Sequence, residues 1–291
     1  MSEPTTLARG ASRPGATTVE AAGAAAAARA LEPATREALA DLVLSMADDD
    51  FVSGFTDSEW TGIAPILEED VAMSSIAQDE LGHARALYEL LATILDDGRD
   101  ADAIAYDREP GAYRHAALLD HPRGDWADTI ARRVLYELAD EARLTSIGDG
   151  FRPLAELAAK LRREERYHRM HGVAWLRRLA EGGTEARRRL ETALAALAPD
   201  AATVFTPLAG EAALLESRIL ARGLAPMEAA WRGDLTSVLV PLGIPVPPAA
   251  PLEPPRDGKA LGPGRTSHGE AFQWLWSEFT VVRRSDPGAT W

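Results

Sequence analysis

The sequence contains no cysteine among its 291 residues. This absence excludes disulfides, thiolate nucleophiles, iron–sulfur clusters and cysteine-ligated zinc sites, and it leaves histidine and carboxylate side chains as the strong metal ligands. Basic residues are also scarce, since Lys+Arg 31 against Asp+Glu 45 give a formal net charge of −14 at pH 7. A chain of this charge repels the phosphates of nucleic acids, so binding to DNA or RNA is disfavoured.

Long hydrophobic runs are absent as well. No apolar stretch approaches the roughly 18 residues that a membrane-spanning helix requires. The first residues include the acidic Glu3 and lack the apolar centre of a signal peptide. We therefore expect a soluble, cytoplasmic protein that does not contact a membrane.

The chain falls into three parts by composition. Residues 1–30 consist mostly of Ala, Thr, Gly, Arg and Pro, with almost no large apolar side chain, which predicts a disordered leader. Residues 31–291 are predicted to form one helical domain. Within it, residues 241–264 are rich in proline and predict an extended arm. The aromatic segment that follows is too apolar to stay in solvent, and we expect it to dock on its own bundle or on a partner.

Apolar residues recur at the helical period from about Pro33 to Val240, and no strand pattern interrupts them. The predicted fold class is therefore all-α. Four long helices are predicted over 33–57, from after Pro65 to about 97, over 125–148 and over 153–181. Three shorter helices follow near 184–197, 207–222 and 226–239. Lengths of 25 to 30 residues are typical of a large helical bundle.

Two of the six histidines have a glutamate three residues earlier, Glu80 before His83 and Glu165 before His168. Residues three apart lie on one face of a helix, so each pair can direct a carboxylate and an imidazole to one point. Each pair also continues an apolar stripe that faces the predicted core. Buried carboxylates are costly unless a positive charge neutralises them.

Ferritin-like proteins hold two metal ions with two Glu-x-x-His helices and one carboxylate from each of the other two helices. The third long helix offers Glu137, with Glu141 as the alternative. The first offers Asp50, with Asp48 and Asp49 as alternatives. The sequence thus predicts a ferritin-like four-helix bundle core with additional C-terminal helices. Its predicted ligands for two iron or manganese ions are Asp50, Glu80, His83, Glu137, Glu165 and His168.

Spacing relates the two halves of this set. Asp50 lies 30 residues before Glu80, and Glu137 lies 28 residues before Glu165. These similar offsets indicate an internal repeat of two helical hairpins that each give three ligands. Which carboxylates bridge the two ions stays open, with Glu80 and either Glu137 or Glu165 as the candidates.

The acids that precede the two motif glutamates, Asp79 and Glu164, can accept a proton from a ligating imidazole and fix its orientation. The other histidines have no partner at this spacing, and we interpret them as structural: His115, His121, His171 and His268. The many arginines of the fourth and fifth helices predict a salt-bridged surface, a subunit contact or a binding site for a phosphate-bearing substrate.

Four stretches of the sequence carry a family resemblance: 58–60 (SEW), 64–70 (APILEED), 128–132 (DTIAR) and 165–168 (ERYH). They resemble the ferritin-like subunits of the bacterial phenylacetyl-CoA epoxidase, also called phenylacetate-CoA oxygenase, over about residues 38–291. The C subunit is the most similar. The resemblance implies a multicomponent enzyme that epoxidises the ring of an aryl-CoA thioester with O2. Its A subunit carries two iron ions, and a flavin/iron–sulfur reductase supplies the electrons.

In that family the C subunit pairs with the A subunit and lacks several ligands, whereas Glu80 and His83 match the pattern of the A subunit here. The resemblance therefore implies a hetero-oligomeric component of aerobic phenylacetate catabolism that retains a di-metal site. One alternative is a non-catalytic component that assembles with the catalytic chain. Another is a stand-alone ferritin-like oxidase, which would need no reductase.

Overall fold

The computed structural model describes residues 15–248, 251–252, 262 and 264–286. These residues form helices and no strand, with one isolated antiparallel bridge between Ile147 and Leu220. The all-α prediction is thus confirmed. The helices are α1 (Gly15–Arg29), α2 (Pro33–Ser58), α3 (Leu67–Leu95), α4 (Ala101–Tyr106), α5 (Trp126–Leu144), α6 (Arg152–Glu181), α7 (Thr184–Ala201), α8 (Glu211–Glu216), α9 (Leu224–Leu239) and α10 (Glu270–Ser285). Short 3-10 turns cover Pro110–Ala112, Ala117–Asp120, Ala202–Phe205 and Val240–Leu242.

The four long helices α2, α3, α5 and α6 form the predicted ferritin-like bundle. Helices α2 and α3 make an antiparallel hairpin, and α5 and α6 make the second. Gly54 lets α2 approach α3 closely, because a Cβ at this position would lie 2.8 Å from Cγ of Leu81 and 3.1 Å from Cβ of Glu80. This contact brings the predicted ligands of α2 and α3 together.

The start of α5 is fixed by a capping box. The Asp125 carboxylate accepts hydrogen bonds from the backbone N–H groups of Ala127 and Asp128, while the Asp128 carboxylate accepts one from the N–H of Asp125. Such reciprocal caps satisfy N–H groups that the helix itself leaves unpaired. The cap sets where α5 begins and, through the helical repeat, which face Glu137 occupies.

The prediction of a disordered leader was wrong for Gly15–Arg29, which form α1; residues 1–14 lie outside the described part of the chain. Alanine has the highest helix propensity, and small side chains can pack closely. Ala24 and Ala28 are buried against the bundle, and Arg29 forms an ion pair of 3.0 Å with Asp96. The prediction weighed only large apolar residues and so overlooked this packing.

The predicted arm lies partly outside the described residues, which omit 249–250, 253–261 and 263. Its beginning packs on α9, where Arg232 donates hydrogen bonds to the carbonyl oxygens of Pro247 (3.1 Å) and Pro248 (3.3 Å). The aromatic segment forms α10 and docks on its own bundle, the first of the two predicted possibilities. Its Phe279 ring lies 5.0 Å from the Phe51 ring of α2. None of the described helices has the length and apolar character needed to span a membrane.

Candidate metal centre

The six residues predicted as ligands converge inside the bundle. They form one group of Asp50, Glu80 and His83 and a second of Glu80, Glu137, Glu165 and His168, and in each group the possible ligand atoms lie within 4.8 Å of one another. None of the six is more than 5% exposed. Glu80 belongs to both groups, and Glu165 lies beside both imidazoles, 2.9 Å from Nδ1 of His83 and 3.3 Å from Nδ1 of His168.

Only one of three consecutive aspartates on α2 faces this centre. Asp48 pairs with Arg108 at 2.5 Å, and Asp49 pairs with Arg265 at 2.9 Å. Asp50 accepts a hydrogen bond of 2.7 Å from the hydroxyl of Tyr136 on α5. Because successive helical residues point about 100° apart, the three carboxylates reach three different partners. The structure thus places Asp50 rather than Asp48 or Asp49 in the centre.

Glu137 and Glu141, one helical turn apart on α5, also have different surroundings. Glu137 is buried beside Glu80 and Glu165. Glu141 is partly exposed and forms an ion pair of 3.1 Å with Arg162. Glu137 is therefore the acid that α5 contributes to the group.

The two imidazoles are held from behind by acids on the opposite helix. Nε2 of His83 donates to Oε2 of Glu164 at 2.7 Å, and Nε2 of His168 donates to Oδ2 of Asp79 at 3.3 Å. The predicted hydrogen bonds from the histidines to Asp79 and Glu164 are thus present, and they cross between α3 and α6. They leave Nδ1 of each ring directed at the other carboxylates, which is the arrangement that supports a metal-binding histidine.

Several atoms at the centre are close together without forming hydrogen bonds. Nδ1 of His83 lies 2.9 Å from Oε1 of Glu165 but is not aligned with it, and Nδ1 of His168 lies 3.4 Å from Oε1 of Glu80. Within the described residues, these buried atoms lack a hydrogen-bond partner: Glu80 Oε1 and Oε2, His83 Nδ1, Glu137 Oε2, Glu165 Oε2 and His168 Nδ1. Unsatisfied buried polar atoms are costly and rare. Divalent cations would satisfy all of them.

The carboxyl groups differ in acidity. Burial raises the pKa of Glu80, and the nearby charge of Glu165 raises it further. Burial likewise raises the pKa values of Asp50 and Glu137 well above their ordinary range. Burial would also raise the pKa of Glu165, but the imidazoles of His168 and His83 outweigh it and hold that pKa well below the usual value.

Burial alone acts on the two imidazoles in the opposite direction, because it lowers the pKa of a histidine. Burial would lower the pKa of His83, but the Glu165 carboxylate and the other acids raise it to about 10. The same balance, with Glu165 and Glu80 as the nearest acids, raises the pKa of His168 to about 12. The centre therefore favours positive charge strongly, as expected of a cation site.

Arg133 and Asp57 were not predicted as part of the centre. The buried guanidinium of Arg133 donates hydrogen bonds to the carboxylates of Asp57 on α2 and Glu137 on α5, and its Nη2 lies 3.7 Å from Oε1 of Glu80. One signal in the sequence could have revealed the contact: Arg133 precedes Glu137 by four residues, so both lie on one face of α5.

A third group that could hold an ion consists of His115, Asp120 and His268. Here the facing atoms already bond to one another, since His115 (2.8 Å) and His268 (3.1 Å) both donate to Oδ1 of Asp120. His268 also donates to the carbonyl oxygen of Tyr113. This contact ties the start of α10 to the bundle, in keeping with the structural role predicted for both histidines.

Comparison with known proteins places this chain in a family. A sequence model described as "Phenylacetic acid catabolic protein" matches residues 17–291. The chain is 28% identical over 249 residues to the C subunit of 1,2-phenylacetyl-CoA epoxidase from Escherichia coli (strain K12), covering 85% of this chain and 97% of that protein. It is 24% identical over 165 residues to the A subunit of the same epoxidase, covering 55% of this chain and about half (52%) of that protein. The chain therefore belongs to the phenylacetic acid catabolic protein family.

Proposed function

We propose that this protein is a ferritin-like component of a multisubunit phenylacetyl-CoA epoxidase and that it binds two metal ions between α2, α3, α5 and α6. The observation that carries the metal site is the set of buried carboxylate and imidazole atoms without hydrogen-bond partners among the described residues. Both relatives are named as parts of such an epoxidase. The oxygen and nitrogen donors suit iron or manganese.

In this proposal Asp50, Glu80 and His83 would hold one ion. Glu137, Glu165 and His168, again with Glu80, would hold the other. Bound iron would supply the activation of O2 and the redox chemistry of ring epoxidation. The protein's own residues orient the imidazoles through Asp79 and Glu164 and keep water from the ligands by burial.

The partners follow from the chemistry that this chain lacks. Epoxidation needs two electrons from outside, and a chain without cysteine cannot hold an iron–sulfur relay. We therefore propose that a flavin/iron–sulfur reductase and a second ferritin-like chain complete the enzyme. The substrate class is an aryl-CoA thioester. Its phosphates require local positive charge, which this acidic chain or its partner must supply.

A second candidate function is that of a non-catalytic component that supports the catalytic chain. The longer match to the C subunit of the epoxidase favours it. One exposed face of α6 also favours this function. Its residues alternate at spacings of four and three, as they do where two helices pack along each other. This face comprises Arg163, Tyr167, Met170, Ala174 and Arg177. Tyr167 is 70% exposed and Met170 56%, so both side chains are free to contact a partner.

Metal analysis and reconstitution test these functions together. The purified full-length chain is loaded with Fe(II) without oxygen, desalted and analysed for iron. One or two ions per chain support the metal site, and none would exclude it. The loaded chain is then assayed for phenylacetyl-CoA oxidation with a reductase, first alone and then with an A subunit of the epoxidase as partner. Turnover by the chain alone supports a catalytic role, turnover only with the partner supports the assembly role, and iron oxidation that needs no reductase supports a stand-alone oxidase.

A further inference from the structure

The two halves of the centre differ at the position four residues before the predicted ligand acid. On α5, Arg133 precedes the ligand Glu137 by four residues; on α2, the residue four positions before Asp50 is Met46. Both side chains are buried. At this position the two hairpins therefore place an apolar side chain beside one group and a permanent positive charge beside the other, because arginine stays protonated in proteins. The buried Arg143 also lies near Asp50, but its guanidinium bonds to Asp49, Asp140 and the Tyr136 hydroxyl rather than to one of the six predicted ligands.

Arg133 is anchored beside two acids of the centre, Glu137 and Glu80, of which Glu80 belongs to both groups. Its guanidinium is held by Asp57 of α2 and donates a hydrogen bond to Oε1 of Glu137. Its Nη2 lies 3.7 Å from Oε1 of Glu80, the same oxygen that lies 3.4 Å from Nδ1 of His168. The guanidinium is thus among the atoms that would surround an ion between Glu80, Glu137 and His168. Within the described residues, it forms no ion pair with Asp50 or His83.

From this asymmetry, and on the basis of the proposed metal site, we infer that Arg133 is a built-in cation that makes the two metal positions unequal. The position of Asp50, Glu80 and His83 binds an ion first. The position of Glu137, Glu165 and His168 binds one only when Arg133 releases Glu137. Breaking a buried charge-assisted hydrogen bond costs on the order of 10- to 100-fold in an equilibrium constant, so we expect the second ion to bind about that much more weakly.

The experiment is a titration of the full-length protein with Mn(II). Calorimetry measures the affinity of each equivalent, and electron paramagnetic resonance shows whether the bound ions are isolated or coupled. In the unmodified chain we expect one tight equivalent with the spectrum of an isolated Mn(II) ion. A spin-coupled pair should appear only at the higher concentrations that fill the second position. Two equivalents of equal affinity, or a coupled pair from the first additions, would overturn the inference and leave the proposed metal site standing. No binding at all would overturn both.

Variants test whether Arg133 causes the difference. Arg133→Met should raise the affinity of the second equivalent about 10- to 100-fold and leave the first nearly unchanged. This change leaves the buried Asp57 without the guanidinium of Arg133. The double variant Asp57→Asn/Arg133→Met removes both charges together, so it tests the role of Arg133 even if the single variant does not fold. The matched control is Arg132→Met, whose side chain is equally buried and lies 3.8 Å from Asp57 without contact with a ligand carboxylate. An unchanged second affinity in the folded double variant would refute the role of Arg133.

Discussion

Replacement of Glu80 by glutamine tests the metal centre at the residue that both groups share. Glutamine has nearly the same shape, so no cavity forms, but its neutral amide is a poor metal ligand. Glu80 is fully buried, and in the described part of the chain neither of its carboxylate oxygens has a hydrogen-bond partner. The variant therefore loses no hydrogen bond of Glu80, only the longer charge contacts of its Oε1 with His168 (3.4 Å) and Arg133 (3.7 Å). Its free energy of unfolding without metal should stay within about 1 kcal/mol of the unmodified protein.

The effect of added metal provides the measurable difference. An ion at 100 times its Kd stabilises a folded protein by about 2.7 kcal/mol. Unfolding entropy of about 2.1 cal/mol/K per residue gives roughly 0.6 kcal/mol/K for a chain of this length. The melting temperature of the unmodified protein should therefore rise by about 4 °C with saturating Mn(II) or Fe(II). The Glu80→Gln variant should show almost no rise.

Differential scanning calorimetry with and without metal measures both values. Glu141→Gln is the control, since Glu141 lies on α5 but pairs with Arg162 outside the centre. It should keep the full metal-induced shift. If the Glu80→Gln variant kept that shift too, ions would bind elsewhere and the proposed centre would be wrong.

Three further predictions rest on separate contacts. Glu164→Gln and Asp79→Asn should weaken metal binding about 10- to 100-fold without changing its stoichiometry, because they loosen the imidazoles; calorimetric titration measures both values. Asp48→Asn should lower the free energy of unfolding in urea by about 3–5 kcal/mol, since it leaves the buried Arg108 without its carboxylate, and a loss below about 1 kcal/mol would contradict this. Burial and the charge of Glu37 raise the pKa of Asp41 to about 6, so its contribution to stability is full below its unfolded pKa near 3.8 and is lost as the pH rises through 6. Asp41→Asn should therefore stabilise the protein at about pH 7 by about 1 kcal/mol after allowance for solvent screening, and this gain should vanish in melts near about pH 4.

Much of the centre could be predicted because its geometry is local. A glutamate and a histidine three residues apart share a helix face whatever the rest of the chain does. Two such pairs on long helices therefore identified Glu80, His83, Glu165 and His168. The same rule applies to the acids behind the imidazoles. Their crossing between α3 and α6 depends on how the helices pack, and the sequence does not show it.

What the sequence could not resolve depends on distant partners. Asp48, Asp49 and Asp50 are all buried, and spacing alone does not distinguish them. The choice is made by Arg108 and Arg265, which lie 60 and 216 residues further along the chain. Arg133 was missed for a related reason, since an arginine four residues before a glutamate is usually a surface pair on a helix. Only its anchor on another helix shows that it is buried.

The asymmetry of the centre bears on the choice between a catalytic and a supporting role. Any chain that had lost its metal role would be expected to satisfy its buried ligands internally, as Arg133 does for one oxygen of Glu137. Yet both oxygens of Glu80 and both Nδ1 atoms lack such partners within the described residues. If Glu80→Gln abolishes metal stabilisation while the unmodified chain holds one tight ion, this protein binds metal without a complete dinuclear site. Full occupancy with turnover in the chain alone would instead require Arg133 to move during assembly of the site, and that movement would make Arg133 part of how the enzyme is activated.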